Sequence, residues 1–194
     1  SFRSQWFDRA LTLNSNLYYI DWADQQANIY GPLGAGFDDT VITNAGASKL
    51  HGLEVEMQAY LGALNIFSSI GYSKTEFTDF VANGEDFGGN EFAYSPNFTG
   101  SIGMSYDWNN GLYFSASANY TGSSYQDNAN EIDIDSYTII NANFAYTVDR
   151  YRVFLYAKNL FDETATTARS FQDDFEFRRL RPPRQVGVGV DLSF

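Results

Sequence analysis

The decapeptide QVGVGVDLSF, residues 185–194, alternates strictly between two kinds of side chain. Its apolar positions are Val186, Val188, Val190, Leu192 and Phe194, and its small or polar positions are Gln185, Gly187, Gly189, Asp191 and Ser193. A period of two predicts a β-strand with one apolar face and one small or polar face. Alternation alone does not say whether the apolar face meets a protein core or a membrane.

The same period recurs along the chain, and helical periodicity is missing throughout. Segments of nine or more residues can cross a bilayer when they are tilted. The polar positions hold mainly Ser, Thr, Asn, Gln and Glu, while aromatic residues gather near the strand ends, as membrane interfaces favour. Nine strands are predicted, at about 1–6, 10–25, 41–61, 64–80, 96–108, 112–125, 135–148, 151–159 and 185–194.

The predicted connections alternate between short and long. The short ones lie near residues 7–9, 62–63, 109–111 and 149–150, and the long ones near 26–40, 81–95, 126–134 and 160–184. Asn110-Gly111 is a strong hairpin signal. Outer-membrane barrels place short turns on the periplasmic side and long loops outside the cell. The fold class expected is therefore an all-β transmembrane antiparallel β-barrel.

The composition excludes several classes of protein. The chain has 12 Lys and Arg against 24 Asp and Glu, so a net charge of −12 argues against nucleic acid as a partner. The absence of cysteine excludes thiol catalysis, disulfides and cysteine-bound metals. No apolar run reaches the length of about 18 residues that a transmembrane helix needs.

The strand count decides between two forms of barrel. With nine antiparallel strands the first and last run in the same direction, so the sheet cannot close on itself, and lipid does not tolerate open edges. Residues 1–194 are therefore expected to be the C-terminal part of one longer β-barrel domain. The alternative is a small barrel in which the last eight strands close, with residues 1–9 as a stub and a structural or adhesive role.

Several segments resemble TonB-dependent outer-membrane receptors. NAGASKLHGLEVE (44–56) is similar to a strand start of that family, and AKNLFDE (157–163) is similar to the segment before its last long loop. RPPRQVGVGVDLSF (181–194) resembles its final strand with a terminal Phe, and residues 3–26 resemble its hairpins. Together these segments cover most of the chain.

The resemblance implies a 22-stranded barrel, filled by an N-terminal plug domain, in the outer membrane of a Gram-negative cell. This chain would supply about nine strands, and the plug and earlier strands are absent from it. The implied function is energised uptake of a ferric siderophore or a similar scarce nutrient. The implied partners are outer-membrane lipid and lipopolysaccharide, the plug and remaining strands, an inner-membrane energy-coupling protein, the barrel-assembly machinery and a small-molecule ligand. Phe194 resembles the C-terminal aromatic signal that the assembly machinery reads.

In such a barrel the valine face of the last strand meets lipid, and Gln185 and Asp191 face the lumen. Gly187 and Gly189 are expected to leave room for packed lumenal matter. Glu54, Glu56 and Gln58 are also predicted to face the lumen. Paired carboxylates at positions 54 and 56 could instead form an acid–base pair, as in glycosidases, but a polar lumenal wall or a partner for plug arginines is the favoured interpretation.

The last long loop carries an arginine cluster in an acidic chain, formed by Arg178, Arg179 and Arg181. These side chains could capture an anionic ligand through bidentate hydrogen bonds, or pair with acidic lumenal strands or lipid phosphates. Arg184 matches the family's Pro-Arg segment and is assigned a structural role. The acidic residues Asp173, Asp174 and Glu176 could bind a hard cation, but they lack the spacing of a calcium loop.

Aromatic residues in the long loops could stack on a ligand or pack loop against loop. They are Tyr30, Phe37, Phe87, Phe92, Tyr94, Tyr125 and Phe171, of which Tyr30, Phe87, Phe92 and Tyr94 are taken as ligand candidates. The glycine-rich stretch 31–37 is followed by no predicted helix, so a phosphate-binding loop is not expected. His51 is the only histidine and has no nearby nucleophile motif. No catalytic residue, metal site or cofactor is predicted.

Overall fold

The computed structural model describes residues 1–30, 40–172 and 175–193. Its main element is a nine-stranded antiparallel sheet in which each strand pairs with the next main strand along the chain. The strands are β1 (Phe2–Trp6), β2 (Leu11–Ala23), β5 (Ala47–Leu61), β6 (Leu64–Asp79), β9 (Phe98–Asp107), β10 (Leu112–Thr121), β13 (Tyr137–Val148), β14 (Tyr151–Lys158) and β17 (Gln185–Leu192). The all-β antiparallel architecture and the nine predicted strands are confirmed.

The connections also alternate as predicted. Turns of two to four residues join β1 to β2, β5 to β6, β9 to β10 and β13 to β14, so all four lie at the same end of the strands, which we call the short-turn edge. Each long connection lies at the other end of the strands, the long-loop edge, and forms a small two-stranded ladder of its own. The ladder strands are β3 (Gln26–Tyr30), β4 (Thr40–Asn44), β7 (Val81–Ala82), β8 (Glu85–Asp86), β11 (Ser124–Tyr125), β12 (Asp133–Ile134), β15 (Thr166–Gln172) and β16 (Phe175–Leu180).

Two predicted strands are each divided in the structure: 112–125 covers β10 and the ladder strand β11, and 41–61 covers β4 and β5. Thr40–Asn44 pairs with β3 inside the first long loop, whereas the sheet strand β5 begins at Ala47. The break falls at Gly46, whose φ of 57° is accessible to glycine at little cost. The Asn44 side chain holds this turn, because its Oδ1 accepts a hydrogen bond from the Gly46 amide at 2.8 Å.

The strand register sorts the side chains onto two faces. One row across the sheet joins Val188, Leu155, Phe144, Phe114 and Tyr106. The neighbouring row on the other face joins Gly187, Tyr156, Asn143, Ser115 and Ser105. We call these the apolar face and the polar face. The two faces follow directly from the period of two in the sequence.

The apolar face is not covered by any described part of this chain. Val188 is 73% exposed and Val190 is 64% exposed, so the valines of β17 do not lie in a dry protein core. Soluble monomers rarely expose contiguous apolar surface of this extent. Aromatic side chains border the face at both edges, as in the girdles of outer-membrane barrels: Trp6, Tyr106, Tyr146 and Tyr151 lie near the short turns, and Tyr19, Tyr72, Phe98 and Tyr120 lie near the long loops.

The expected room beside Gly187 and Gly189 is a prediction that proves wrong. Tyr156 and Phe154 of β14 are the register partners of these two glycines. A Cβ built at either glycine would lie under 3.0 Å from the partner's ring. The glycines therefore make space for aromatic side chains of the same sheet rather than for lumenal matter.

The eight-stranded alternative is also wrong. Within the described residues, β17 pairs only with β14, and β2 is covered on its outer side by β1. Closure of a small barrel would require β2 and β17 to pair with each other. The sheet is instead an open segment whose two outermost strands are β1 and β17.

A small hydrophobic cluster lies where the end of β6 meets the long loops. It consists of Ala45, Phe77, Phe80, Ala82 and Phe87, with Phe92 packed against it. Among the described residues, no helix has the length and apolar character that a membrane crossing requires.

Candidate ligand-binding loops and lumenal wall

The predicted lumenal residues of β5 all lie on the polar face. Glu54, Glu56 and Gln58 alternate with the apolar-face residues Leu53, Val55 and Met57. Glu54 accepts a hydrogen bond from the Asn16 side chain at 3.4 Å. The two glutamates border an open cavity of about 590 Å³ that Arg3, Asn14 and Thr99 also line. This setting fits a solvated polar wall better than an enclosed acid–base pair.

Asp191 also lies on the polar face, at the short-turn end of β17. Its carboxylate is 3.6 Å from Arg152 of β14, its register partner, and both side chains remain largely exposed. Exposed pairs of this kind contribute little to stability. Phe194 lies outside the described residues, so its predicted role in assembly stays a prediction.

Hydroxyl and amide groups line much of the polar face beside these charged residues. Ser69 and Ser101 hydrogen-bond across β6 and β9 at 2.7 Å. Further along, a cavity of about 640 Å³ is lined in part by Ser115, Ser117, Asn141 and Asn143. The Oδ1 atoms of Asn65 and Asn143 are buried and have no hydrogen-bond partner among the described residues. Unpaired buried acceptors of this kind are costly to stability.

Two of the four aromatic ligand candidates are packed inside the loop cluster. Phe87 is 9% exposed, and its ring centroid lies 5.0 Å from that of Phe80. Phe92 lies 4.7 Å from Phe77, with its backbone amide bonded to Thr75 Oγ1. This burial favours loop packing over ligand stacking for both residues.

Of the other two aromatic candidates, the structure describes the side chain of Tyr94 but only the backbone of Tyr30. Tyr94 is 55% exposed and adopts a positive φ of 56°, with its backbone amide bonded to the Tyr125 carbonyl. The backbone of Tyr30 ends β3, but its side chain lies outside the described part of the chain. Phe37 and the side chain of Phe171 lie outside it as well.

The arginine cluster divides into three different environments. Arg178 is held by Glu176 through two parallel hydrogen bonds, Nε to Oε1 at 2.9 Å and Nη2 to Oε2 at 2.8 Å. These bonds lower the pKa of the Glu176 carboxyl below its ordinary value. The Arg181 guanidinium lies over the Tyr137 ring, 5.0 Å from the centroid. Two of the three candidate cations are therefore engaged within the chain.

Arg179 is the candidate that stays available. It alternates with Arg178 along β16, so it lies on the opposite face of the β15–β16 ladder from Glu176. Within the described residues, no carboxylate lies within ion-pair distance of it. Phe175 and Phe177 share its face and are 69% and 54% exposed. We call these three side chains the ribbon face.

The ribbon face includes two residues that the sequence analysis missed. Phe175 and Phe177 were placed in a loop, although the alternation Phe-Glu-Phe-Arg over residues 175–178 has the period of a strand. That alternation was the available signal for a ladder. Gln126 was missed too: its amide group bonds to both the backbone N–H and the carbonyl of Arg169, which ties the third long loop to the last one.

The segment Asn-Leu-Phe-Asp, residues 159–162, anchors the last long loop through hydrogen bonds. Asn159 is 4% exposed, accepts a hydrogen bond from the Glu163 amide at 2.9 Å, and donates to the Glu163 carbonyl at 2.9 Å. It also donates to the Pro182 carbonyl at 3.3 Å. The Arg184 amide donates to Asp162 Oδ1 at 2.7 Å. Asn159 and Asp162 thus join the end of β14 to the start of β17.

The remaining candidates form no reactive site in the described residues. No group of three or more His, Asp or Glu side chains there lies close enough to hold a metal ion. Asp173 and Asp174 lie outside the described residues. His51 lies on the apolar face and stacks on Tyr19 with ring centroids 6.5 Å apart.

Comparison with known proteins gives the same fold. The family model described as "TonB dependent receptor-like, beta-barrel" matches residues 1–160. The ferrichrome outer membrane transporter/phage receptor of Escherichia coli (strain K12) is 32% identical over 127 residues, which are 60% of this chain and 16% of that protein.

Solved structures extend the similarity over almost the whole chain. The ferric yersiniabactin uptake receptor FyuA from Yersinia pestis superposes with a TM-score of 0.80 at 19% identity, covering 99% of this chain and 29% of that one. The siderophore receptor PiuA from Acinetobacter baumannii gives 0.78 at 21% identity, covering 98% and 27%. This chain therefore spans less than a third of the length of each of these proteins.

The meander, its two faces and its aromatic borders define a segment of an outer-membrane β-barrel. The chain belongs to the TonB-dependent receptor β-barrel family. Its location is the outer membrane, and the related proteins are receptors and transporters rather than enzymes.

Proposed function

We propose that this chain is the C-terminal part of the barrel of an outer-membrane uptake receptor for a scarce anionic nutrient such as a ferric siderophore. The rest of the protein would supply the remaining strands of a 22-stranded barrel and an N-terminal plug. An inner-membrane energy-coupling protein would act on the plug, and the barrel-assembly machinery would insert the barrel. The family and the names of the related transporters support this proposal.

The observation that carries the proposal is the ribbon face. It lies on the long-loop edge, which is the outer edge in barrels of this type. Arg179 offers a guanidinium that pairs with no carboxylate of the described residues, and a guanidinium binds carboxylate or phosphate groups through paired hydrogen bonds. Phe175 and Phe177 offer exposed rings beside it. A planar anionic ligand would satisfy both features, because its charge would pair with the guanidinium and its faces would stack on the rings.

The polar face supports the part of the proposal that places a plug inside the barrel. Asn65 and Asn143 lie on the polar face, the side on which a plug would lie. The hydroxyl and amide groups of this face can hold a plug by hydrogen bonds without the desolvation cost of buried ion pairs. We infer that the plug forms hydrogen bonds with hydroxyl and amide side chains such as Ser69 and Ser101.

The test measures uptake of a ferric siderophore by iron-limited cells that carry the full-length protein. We expect Arg179→Ala combined with Phe177→Ala to lower uptake while the amount of barrel in the outer membrane is unchanged. Arg150→Ala serves as the matched control, because Arg150 is an exposed arginine at the opposite, short-turn edge. Unchanged uptake in the double variant would contradict the assignment of the ribbon face, and equal uptake with the whole protein deleted would contradict the transport function itself.

A further inference from the structure

A cluster of charged groups stands at the loop end of the apolar face. The chain has only three lysines, and two of them, Lys49 and Lys74, lie on this face beside the single histidine, His51. The third, Lys158, lies on the polar face. From this cluster down to the short-turn edge, the apolar face of the described strands carries no Asp, Glu, Lys, Arg or His.

The cluster forms two adjacent rows. Register places Tyr19, His51 and Lys74 side by side on β2, β5 and β6. The next row towards the loops joins Asp21, Lys49 and Glu76. Side chains in directly opposed positions of an antiparallel pair lie about 5 Å apart at Cβ. His51 and Lys74 are therefore immediate neighbours.

The height of the cluster matches the outer boundary of the hydrocarbon. Ten residues of β5 separate Leu61, at the short turn, from His51. At about 3.3 Å per residue and a strand tilt of 35–45°, this is about 25 Å along the membrane normal, the height of the apolar band in such barrels. Tyr72 lies one row below on β6, as an interfacial aromatic would. The His51 row thus lies at the level of the lipid headgroups.

Within the described residues, every charged group of the cluster except Lys74 has a partner in this chain. Lys49 Nζ is 2.9 Å from Glu76 Oε1. Asp21 Oδ1 accepts a hydrogen bond from the Tyr19 hydroxyl at 2.9 Å. Lys74 is exposed and makes no hydrogen bond or ion pair with any described residue. An ammonium group and an imidazole N–H donor therefore face outward together.

We infer that Lys74 and His51 form a binding site for a phosphate group of an outer-leaflet lipid, which in this membrane is the lipid A part of lipopolysaccharide. The ammonium of Lys74 pairs with the phosphate, and the imidazole of His51 donates a hydrogen bond to it. The acyl chains of the same molecule lie against the apolar residues directly below, Leu53, Ile70 and Tyr72, which are 41–45% exposed. A lipid satisfies both the two donor groups and the apolar surface, whereas free phosphate satisfies only the donor groups.

The test counts lipid bound to the full-length protein in detergent micelles by native mass spectrometry. Two probes are compared, diphosphorylated lipid A and the same lipid without its phosphates. We expect wild-type protein to retain the phosphorylated lipid, and Lys74→Gln with His51→Gln to bind it less by about fivefold for each group removed. Lys158→Gln, which removes the lysine on the other face, is expected to bind as wild type, and Lys74→Arg is expected to keep the site.

Three outcomes would overturn the inference. One is unchanged binding of phosphorylated lipid A by the double variant. Another is an equal loss of the phosphate-free lipid, which would indicate a general change in the surface. The third is displacement of the lipid by inorganic phosphate alone, which would indicate a site for a free anion. If the double variant fails to assemble, the binding of phosphorylated lipid A is compared between Lys74→Gln and Lys158→Gln. Equal binding by these two variants would then overturn the inference.

Discussion

The ring of Phe67 on β6 occupies the space that a side chain at Gly103 on β9 would need. The two residues are register partners on the polar face, and a Cβ at Gly103 would lie under 3.0 Å from the ring. The same relation joins Tyr18 to Gly52, Tyr156 to Gly187 and Phe154 to Gly189. Large rings on the polar face are thus accommodated by glycine on the adjacent strand, at four positions in three strand pairs.

This relation predicts a steric cost for substitution at Gly103. Gly103→Ala must displace the Phe67 ring, which overpacks the wall and lowers the free energy of unfolding by about 1–3 kcal/mol. Gly100→Ala is the matched control on the same strand, because its Cβ would meet Phe98 at an ordinary 3.5 Å. Urea unfolding of the full-length barrel in lipid measures both variants. Equal stability of the two would show that the ring does not depend on the glycine.

The buried hydrogen bonds of the Asn159 side chain predict that its substitution lowers stability. Asn159→Ala removes one acceptor and two donors in a buried position and places alanine at a φ of 50°, which alanine adopts at a cost. The expected loss is about 1–3 kcal/mol from the orphaned backbone groups alone. Heat denaturation followed by tryptophan fluorescence measures it. Asp162→Asn, which keeps an oxygen for the Arg184 amide, should have a smaller effect, and the reverse order would contradict the assigned roles.

The Glu176–Arg178 pair predicts a pH dependence of the last loop. Because the pKa of Glu176 is lowered in the folded ribbon, the pair stabilises the ribbon fully above the ordinary value of 4.5. This stabilisation is lost as the pH falls through the lowered folded pKa, when the carboxylate takes up a proton. Amide hydrogen exchange of residues 175–180, referenced to β14, should accelerate in that acidic range. Glu176→Gln should show no such acid-dependent change, and an identical profile in both proteins would remove Glu176 as the cause.

Much of the fold could be predicted from the period of two, because a half-buried strand must alternate its side chains. The nine strands, the alternation of short and long connections and the placement of Glu54 and Asp191 on the polar face all follow from that pattern. The glycine–aromatic pairs could not be predicted, because they depend on cross-strand register, which the sequence does not display. Gly187 was therefore assigned open space that Tyr156 fills.

The loops were harder to predict, because their contacts depend on turns and ladders that the period of two does not display. The burial of Phe87 depends on how the β7–β8 ladder folds it back onto Phe80 and Phe77 at the end of β6, and Phe87 alone resembles any loop aromatic. Among the arginines, the pairing of Arg178 with Glu176 is a same-face strand contact that local spacing could have indicated. The availability of Arg179 follows only once β15 and β16 are known to pair.

The central claim is that the apolar face meets lipid and the polar face meets a water-accessible or protein-filled lumen. This chain contains no cysteine, so once any cysteine elsewhere in the full-length protein is replaced, single cysteines at Gln185, Val186, Val188, Val190 and Asp191 can each carry one spin label in the reconstituted protein. We predict that labels at the three valines collide mainly with oxygen dissolved in the bilayer, and that labels at Gln185 and Asp191 do not. Preferential access of a water-soluble nickel complex to the valine positions would contradict the account.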